Sequence, residues 1–167
     1  MKKVWYAPYK FESYGEEEIK AVEKSLRSGW LGGQGPQSTK FEKKISERFG
    51  KKYGVFVNSG SSACLLAIAS LDLPKGSKII TPACTFSTTL APIIQLGYIP
   101  VFVDVDPTTY CAKVEDIIKV IDKDVKAIML PNLIGNKPDW ESLRFELDNH
   151  NRHDIILIED SADTITK

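Results

Sequence analysis

The sequence predicts an α/β fold with three layers, α/β/α, around a mostly parallel sheet. Three observations predict it. Apolar strand segments alternate with helical segments from Tyr53 to Asp160. The strand segments are near-continuous apolar runs, the pattern of strands covered by helices on both faces. The links are short, so each strand passes to the next through a right-handed crossover.

Two helices come first. In "GEEEIKAVEKSLRSG", Ile19, Val22 and Leu26 recur at helical spacing, with acids in the first turn and Arg27 near the end. In "STKFEKKISERFG", Phe41, Ile45 and Phe49 repeat the pattern. Thr39 and Glu42 have capping-box spacing, and Gly50 suits a helix stop. The Gly-rich loop "GWLGGQGPQ" joins the two. Residues 1–50 are therefore expected as an N-terminal helical segment, and 51–167 as one compact α/β unit.

The alternation then runs as follows. Strand "YGVFVN" precedes helix "SSACLLAIASL", and "KIIT" precedes "STTLAPIIQLG". Strand "IPVFVDV" precedes "VEDIIKVID", and "KAIML" precedes "DWESLRFELDNHN". Strand "DIILIED" closes the series with no helix after it. If Ile155–Ile158 is a central strand, it lacks cover on one face, so the chain reads as a fragment cut mid-fold.

Composition narrows the class. The 167 residues are 43% hydrophobic, enough for a core in one domain of ordinary size. Lys+Arg and Asp+Glu are 22 each, so no basic field points to nucleic acid. "MKKVWYAPYKFESYGEEE" has no apolar region behind its lysines and does not read as a signal peptide. No apolar run approaches the ~20 residues of a membrane span. Cys64, Cys84 and Cys111 are odd in number and lack CxxC spacing, which fits reduced thiols in a cytoplasm.

Three motifs carry candidate chemistry. In "VFVNSGSSACLLA" a strand meets a helix through a small-residue turn. Free helix amides with the Ser61 and Ser62 hydroxyls would cradle an anion, and the competing reading is a tight turn with a serine cap. In "TPACTFSTT", Phe86 follows a strand on the same sheet edge. It could stack on a flat ligand, or be an ordinary core or helix-start phenylalanine. In "IEDSAD", Asp160 sits where the strand runs out, as a ligand group or a helix cap. Asp104 and Asp106 in "VDVDP" compete, but Asp106-Pro107 reads as turn initiation. His150 and His153 have no Cys or acid cluster beside them, so no metal site is expected. Trp30 and Trp140 are expected to pack. Taken together, the three motifs describe a pocket for a flat, phosphorylated, heteroaromatic cation such as pyridoxal phosphate.

The ordered series "NSGSSACLLA", "TPACTFSTTLAPIIQLGYIPVFVDVDPTTY", "KAIMLPNLIGN" and "IEDSAD" resembles the pyridoxal-phosphate sugar aminotransferase family of the DegT/DnrJ/StrS type. "SGWLGGQGPQSTKFEKKISERFG" resembles that family's Gly-rich loop and following "FE" helix. The resemblance implies the large domain of a fold-type I pyridoxal-phosphate transferase, working as a homodimer on nucleotide-linked keto-sugars with an amino-acid donor. It implies pyridoxal 5'-phosphate or pyridoxamine 5'-phosphate as cofactor. Gly60, Ser61 and Ser62 would hold its phosphate and Phe86 would stack on its ring. Asp160 would pair with the pyridinium nitrogen, and Asp163 would lie near the ring hydroxyl. A carboxylate 4 Å from a cation is worth roughly 4 kcal/mol at an effective dielectric near 20, or about three pKa units.

The family's Schiff-base lysine lies well beyond Asp160, and Lys167 is too close to it to be that residue. Thr166 also departs from the Gly usual after this motif. The chain as it stands is expected to lack the nucleophile and to be inactive alone. The resemblance extends to a sugar 3-dehydratase branch, in which histidine replaces that lysine. "VNSGSSA", "LIGN" and Asp163 resemble that branch too. Sugar aminotransferase is the first reading, 3-dehydratase the second and a catalytically inert half-domain the third. A generic flavodoxin-like nucleotide binder fits poorly with the helical N-terminus.

Overall fold

The computed structural model describes residues 14–32 and 34–164; the sequence readings on Thr166 and Lys167 fall outside them. The chain divides into two compact units, Met1–Phe56 and Val57–Lys167.

In the first unit, helix α1 (Glu16–Arg27) starts at Gly15, whose N–H donates to the Glu18 carboxylate at 2.7 Å. That bond holds the Glu18 carboxyl below its usual range. Glu16, Glu17 and Glu18 all sit at the positive end of the helix dipole. Helix α2 (Pro36–Arg48) starts three residues before Thr39, with Pro36 at its first position. The expected Thr39/Glu42 capping box is therefore absent: the Thr39 N–H already donates to the Gly35 carbonyl at 3.1 Å. Glu42 has a different task, accepting the Phe56 N–H at 2.8 Å. The Phe41 and Phe56 rings meet edge-to-face with centroids 5.3 Å apart. Trp30 does not pack as expected, being 63% exposed.

The predicted strand Tyr53–Asn58 is not formed. No described strand gives it a ladder, and an unpaired strand leaves its amides to water. Its apolar side chains are correspondingly open, Tyr53 at 75% and Val55 at 71%.

The second unit begins with helix α3 (Gly60–Ala69). Strand β1 (Lys78–Pro82), helix α4 (Ser87–Gln95) and strand β2 (Ile99–Val103) follow. Then come α5 (Val114–Lys119), β3 (Val125–Pro131), α6 (Trp140–Asn149) and β4 (Ile156–Asp160). All four strands are parallel, in the order β2-β1-β3-β4. The three-layer prediction follows from strand alternation. Ile79, Ala127 and Met129 pack with Cys64, Ile68 and Ile93 on the α3/α4 face. Ile80, Ile128 and Leu130 pack with Ile117, Leu143 and Leu147 on the α5/α6 face, and Trp140 packs against that cluster as expected.

Continuous burial holds for the central strands β1 and β3 but not for β2 and β4. Among the described residues β4 lies at one side of the sheet, and Ile156 is 40% exposed. Because the strands are parallel and in close register, Pro82, Val103, Pro131 and Asp160 end together on one side of the sheet. That side is where parallel α/β sheets take ligands.

Candidate functional site

The amino end of α3 is capped by Ser59, not by Ser61 or Ser62. The Ser59 hydroxyl accepts the Ser62 N–H at 3.1 Å, and its carbonyl accepts the Ala63 N–H at 3.1 Å. The Ser62 hydroxyl donates to the Asn58 side chain at 2.7 Å. The amides of Gly60 and Ser61 are left with no acceptor among the described residues. α3 also has no acid in its first turn, unlike α1. Its positive end is therefore uncompensated and open to an anion.

Phe86 is the residue before α4 and is 67% exposed, so it is not a core aromatic. Its carbonyl accepts the Thr89 N–H at 3.0 Å, which fixes the first turn of α4.

Asp160 ends β4 and turns its carboxylate toward α3 and α4. Thr89 Oγ1 donates to Asp160 Oδ2 at 2.7 Å, and Cys64 Sγ donates to the same oxygen at 3.6 Å. The Ala162 N–H donates to Oδ1 at 3.2 Å. Burial first, and the neighbouring Asp160 charge second, push the Cys64 thiol up to about 12. Glu159 points the other way, as the next residue of a strand must, and accepts from Asn132 Nδ2 at 2.7 Å.

Gly60, Cys64, Ile158 and Asp160 line one open cavity of about 310 Å³. The start of α3 and the end of β4 thus share a hollow, with the first turn of α4 tied to it through Thr89. A larger hollow of about 460 Å³ lies at the opposite strand ends, lined by Ile118, Asp122 and Arg152. Asp122 and Arg152 there are engaged in ion pairs with Lys78 and Asp154, and the hollow contains none of the residues expected to hold a ligand.

Asp163 is turned to a backbone partner, accepting the Ile134 N–H at 2.8 Å. Asp106 caps its own turn through the Thr108 and Thr109 amides and pairs with Lys113 at 3.2 Å. His150 and His153 bond to the Glu146 carbonyl and the Asp148 carboxylate, each at 2.8 Å. Sequence reasoning missed Ser59, Cys64 and Thr89. Thr89, fully buried inside "FSTT", gave no signal beyond a polar residue at helical spacing from Phe86.

A parallel sheet with an open helix amino end, an exposed aromatic and an anchored carboxylate near its carboxyl edge defines a ligand-binding α/β domain. The chain belongs to the DegT/DnrJ/EryC1/StrS aminotransferase family, whose sequence pattern matches residues 12–166.

It is 32% identical over 148 residues to GDP-perosamine synthase of Vibrio cholerae, covering 89% of this chain and 40% of that protein. It is equally 32% identical over 164 residues to GDP-4-keto-6-deoxy-D-mannose 3-dehydratase of Yersinia pseudotuberculosis, covering 95% of this chain and 41% of that protein. The solved Escherichia coli GDP-4-keto-6-deoxy-D-mannose-3-dehydratase with bound hydrated pyridoxal phosphate superposes with a TM-score of 0.82 at 35% identity. That match covers 90% of this chain and 39% of the enzyme. The chain spans about 40% of the length of the relatives it matches.

Proposed function

We propose that this chain is the cofactor-holding part of a pyridoxal-phosphate enzyme that transfers an amino group from an amino acid to a nucleotide-linked keto-sugar. The observation that carries it is the anchoring of Asp160 between α3 and α4, beside the open amino end of α3. The residues fit the cofactor. Gly60 and Ser61 offer free amides, with the Ser61 hydroxyl beside them, to a phosphate, and the Ser62 hydroxyl would join them on releasing Asn58. The exposed Phe86 ring offers a face to a pyridine. Asp160 offers a carboxylate to a ring cation, which it would keep protonated. When bound, the cofactor supplies an electron sink for proton removal next to the transferred nitrogen. This chain's residues bind and orient it and set the charge at its ring nitrogen. Asp163 would help shape the pocket by fixing the turn at Ile134.

A second reading, sugar 3-dehydration, is favoured by the Escherichia coli structure. The two relatives at equal identity divide between the activities. Product analysis of an enzyme that contains this chain, with pyridoxal phosphate, glutamate and GDP-4-keto-6-deoxymannose, tests both. An aminated sugar with 2-oxoglutarate supports transfer, and a 3-deoxygenated sugar supports dehydration. Saturable cofactor binding with no sugar conversion would reduce the reading to the cofactor cradle alone.

A further inference from the structure

We propose that Thr89 and Cys64 are positioning residues that commit Oδ2 of Asp160 to the protein and leave Oδ1 to meet the cationic ring nitrogen. The inference rests on the cofactor reading above and specifies which oxygen does the work.

A carboxylate has about four acceptor positions, two on each oxygen. Oδ2 receives the Thr89 hydroxyl at 2.7 Å and the Cys64 thiol at 3.6 Å, which fills it. Oδ1 receives only the Ala162 N–H at 3.2 Å and keeps one position free. Both side-chain donors are deeply buried, Thr89 at 0% and Cys64 at 7% exposure. They come from different helices, 71 and 96 residues away in sequence, so the carboxylate is gripped by two independently packed elements. Thr89 is the stronger donor, because a hydroxyl at this distance outweighs a long thiol contact. The thiol resists ionisation, with burial as the main cause, so it remains a donor across the physiological range.

The simpler account is that Thr89 and Cys64 merely satisfy their own burial near a convenient acceptor. The two accounts differ at the ring nitrogen. In the 167-residue chain with bound pyridoxamine phosphate, Thr89→Val is expected to weaken binding about tenfold. It should also lower the pH at which the bound ring absorption changes by about one unit. Thr89→Ser is expected to restore both, and Cys64→Ala to weaken binding by about threefold or less. Weakened binding with an unmoved ring transition in Thr89→Val would overturn the proposal.

A second readout needs no cofactor. Alkylation of Cys64, followed by peptide mapping, is expected to speed up several-fold in Asp160→Asn, because the charge and the carboxylate acceptor are both removed. Unchanged alkylation would overturn the Cys64 contact even if Thr89→Val fails to fold. Failure of the wild-type chain to bind pyridoxamine phosphate would instead overturn the underlying cofactor reading, whatever the thiol shows.

Discussion

The Asp163 carboxylate accepts the backbone N–H of Ile134 at 2.8 Å, and Ile134 has a φ of 50°. A β-branched residue in the left-handed region is strained, and nothing is gained by burying it, since Ile134 is 67% exposed. Ile134→Gly is therefore expected to stabilise the fold by about 1 kcal/mol. Asp163→Ala removes the bond that holds the turn and is expected to destabilise it. Paired melting curves of the two variants check both signs.

Acid sensitivity follows from surface carboxylates held below their usual range, Asp106 and Glu18 among them. The Lys78 hydrogen bond holds Asp122 below the usual carboxylate range, and the Arg152 guanidinium does the same for Asp154. The Ser142 N–H does so for Asp139 at the start of α6. A depressed native pKa means that the unfolded chain takes up protons first. The stabilisation is present above about pH 4 and is lost as pH falls through the native values. Melting temperature should be flat from about pH 5 to 7 and fall below about pH 4. Asp122→Asn and Asp154→Asn should each shallow that fall, and added salt should reduce the difference.

Gly54 lies against the backbone of α2. A Cβ there would come within 2.5 Å of the Glu42 carbonyl oxygen, which cannot swing aside like a side-chain tip. Gly54→Ala is expected to cost about 1–3 kcal/mol in the first unit. Limited proteolysis between residues 14 and 56 should report faster cutting, with the second unit unaffected.

The sheet predicts its own gradient of sensitivity. Leu130 is 1% exposed in the central strand β3, whereas Ile156 is 40% exposed on β4, at one side of the sheet. Leu130→Ala should cost about 2–5 kcal/mol, and Ile156→Ala less than half of that. Urea denaturation of both variants measures the ratio.

Much of this was legible in the sequence because the evidence was local. Runs such as "KIIT" and "KAIML" announce buried parallel strands, and Gly97, at φ 79°, ends α4 where the pattern stops. Tyr53–Asn58 has the composition of a strand, but a strand exists only through a neighbour, and composition carries no pairing. Thr39 and Glu42 have capping-box spacing, yet Pro36 starts the helix earlier. At the site, Phe86 and Asp160 could be named from their places after strands, and Ser61 from the small-residue turn that opens a helix. Thr89 and Cys64 could not, because their contacts with Asp160 depend on how α3 and α4 pack over β4.

The measurement that tests the central claim most directly is an equilibrium titration of the chain with pyridoxal phosphate, beside Asp160→Asn and a Ser61→Ala/Ser62→Ala double variant. The account predicts one saturable site in the wild type. It predicts affinity about tenfold or more weaker in Asp160→Asn and weakened in the serine variant. Equal uptake by all three proteins, with label scattered over surface lysines, would contradict it.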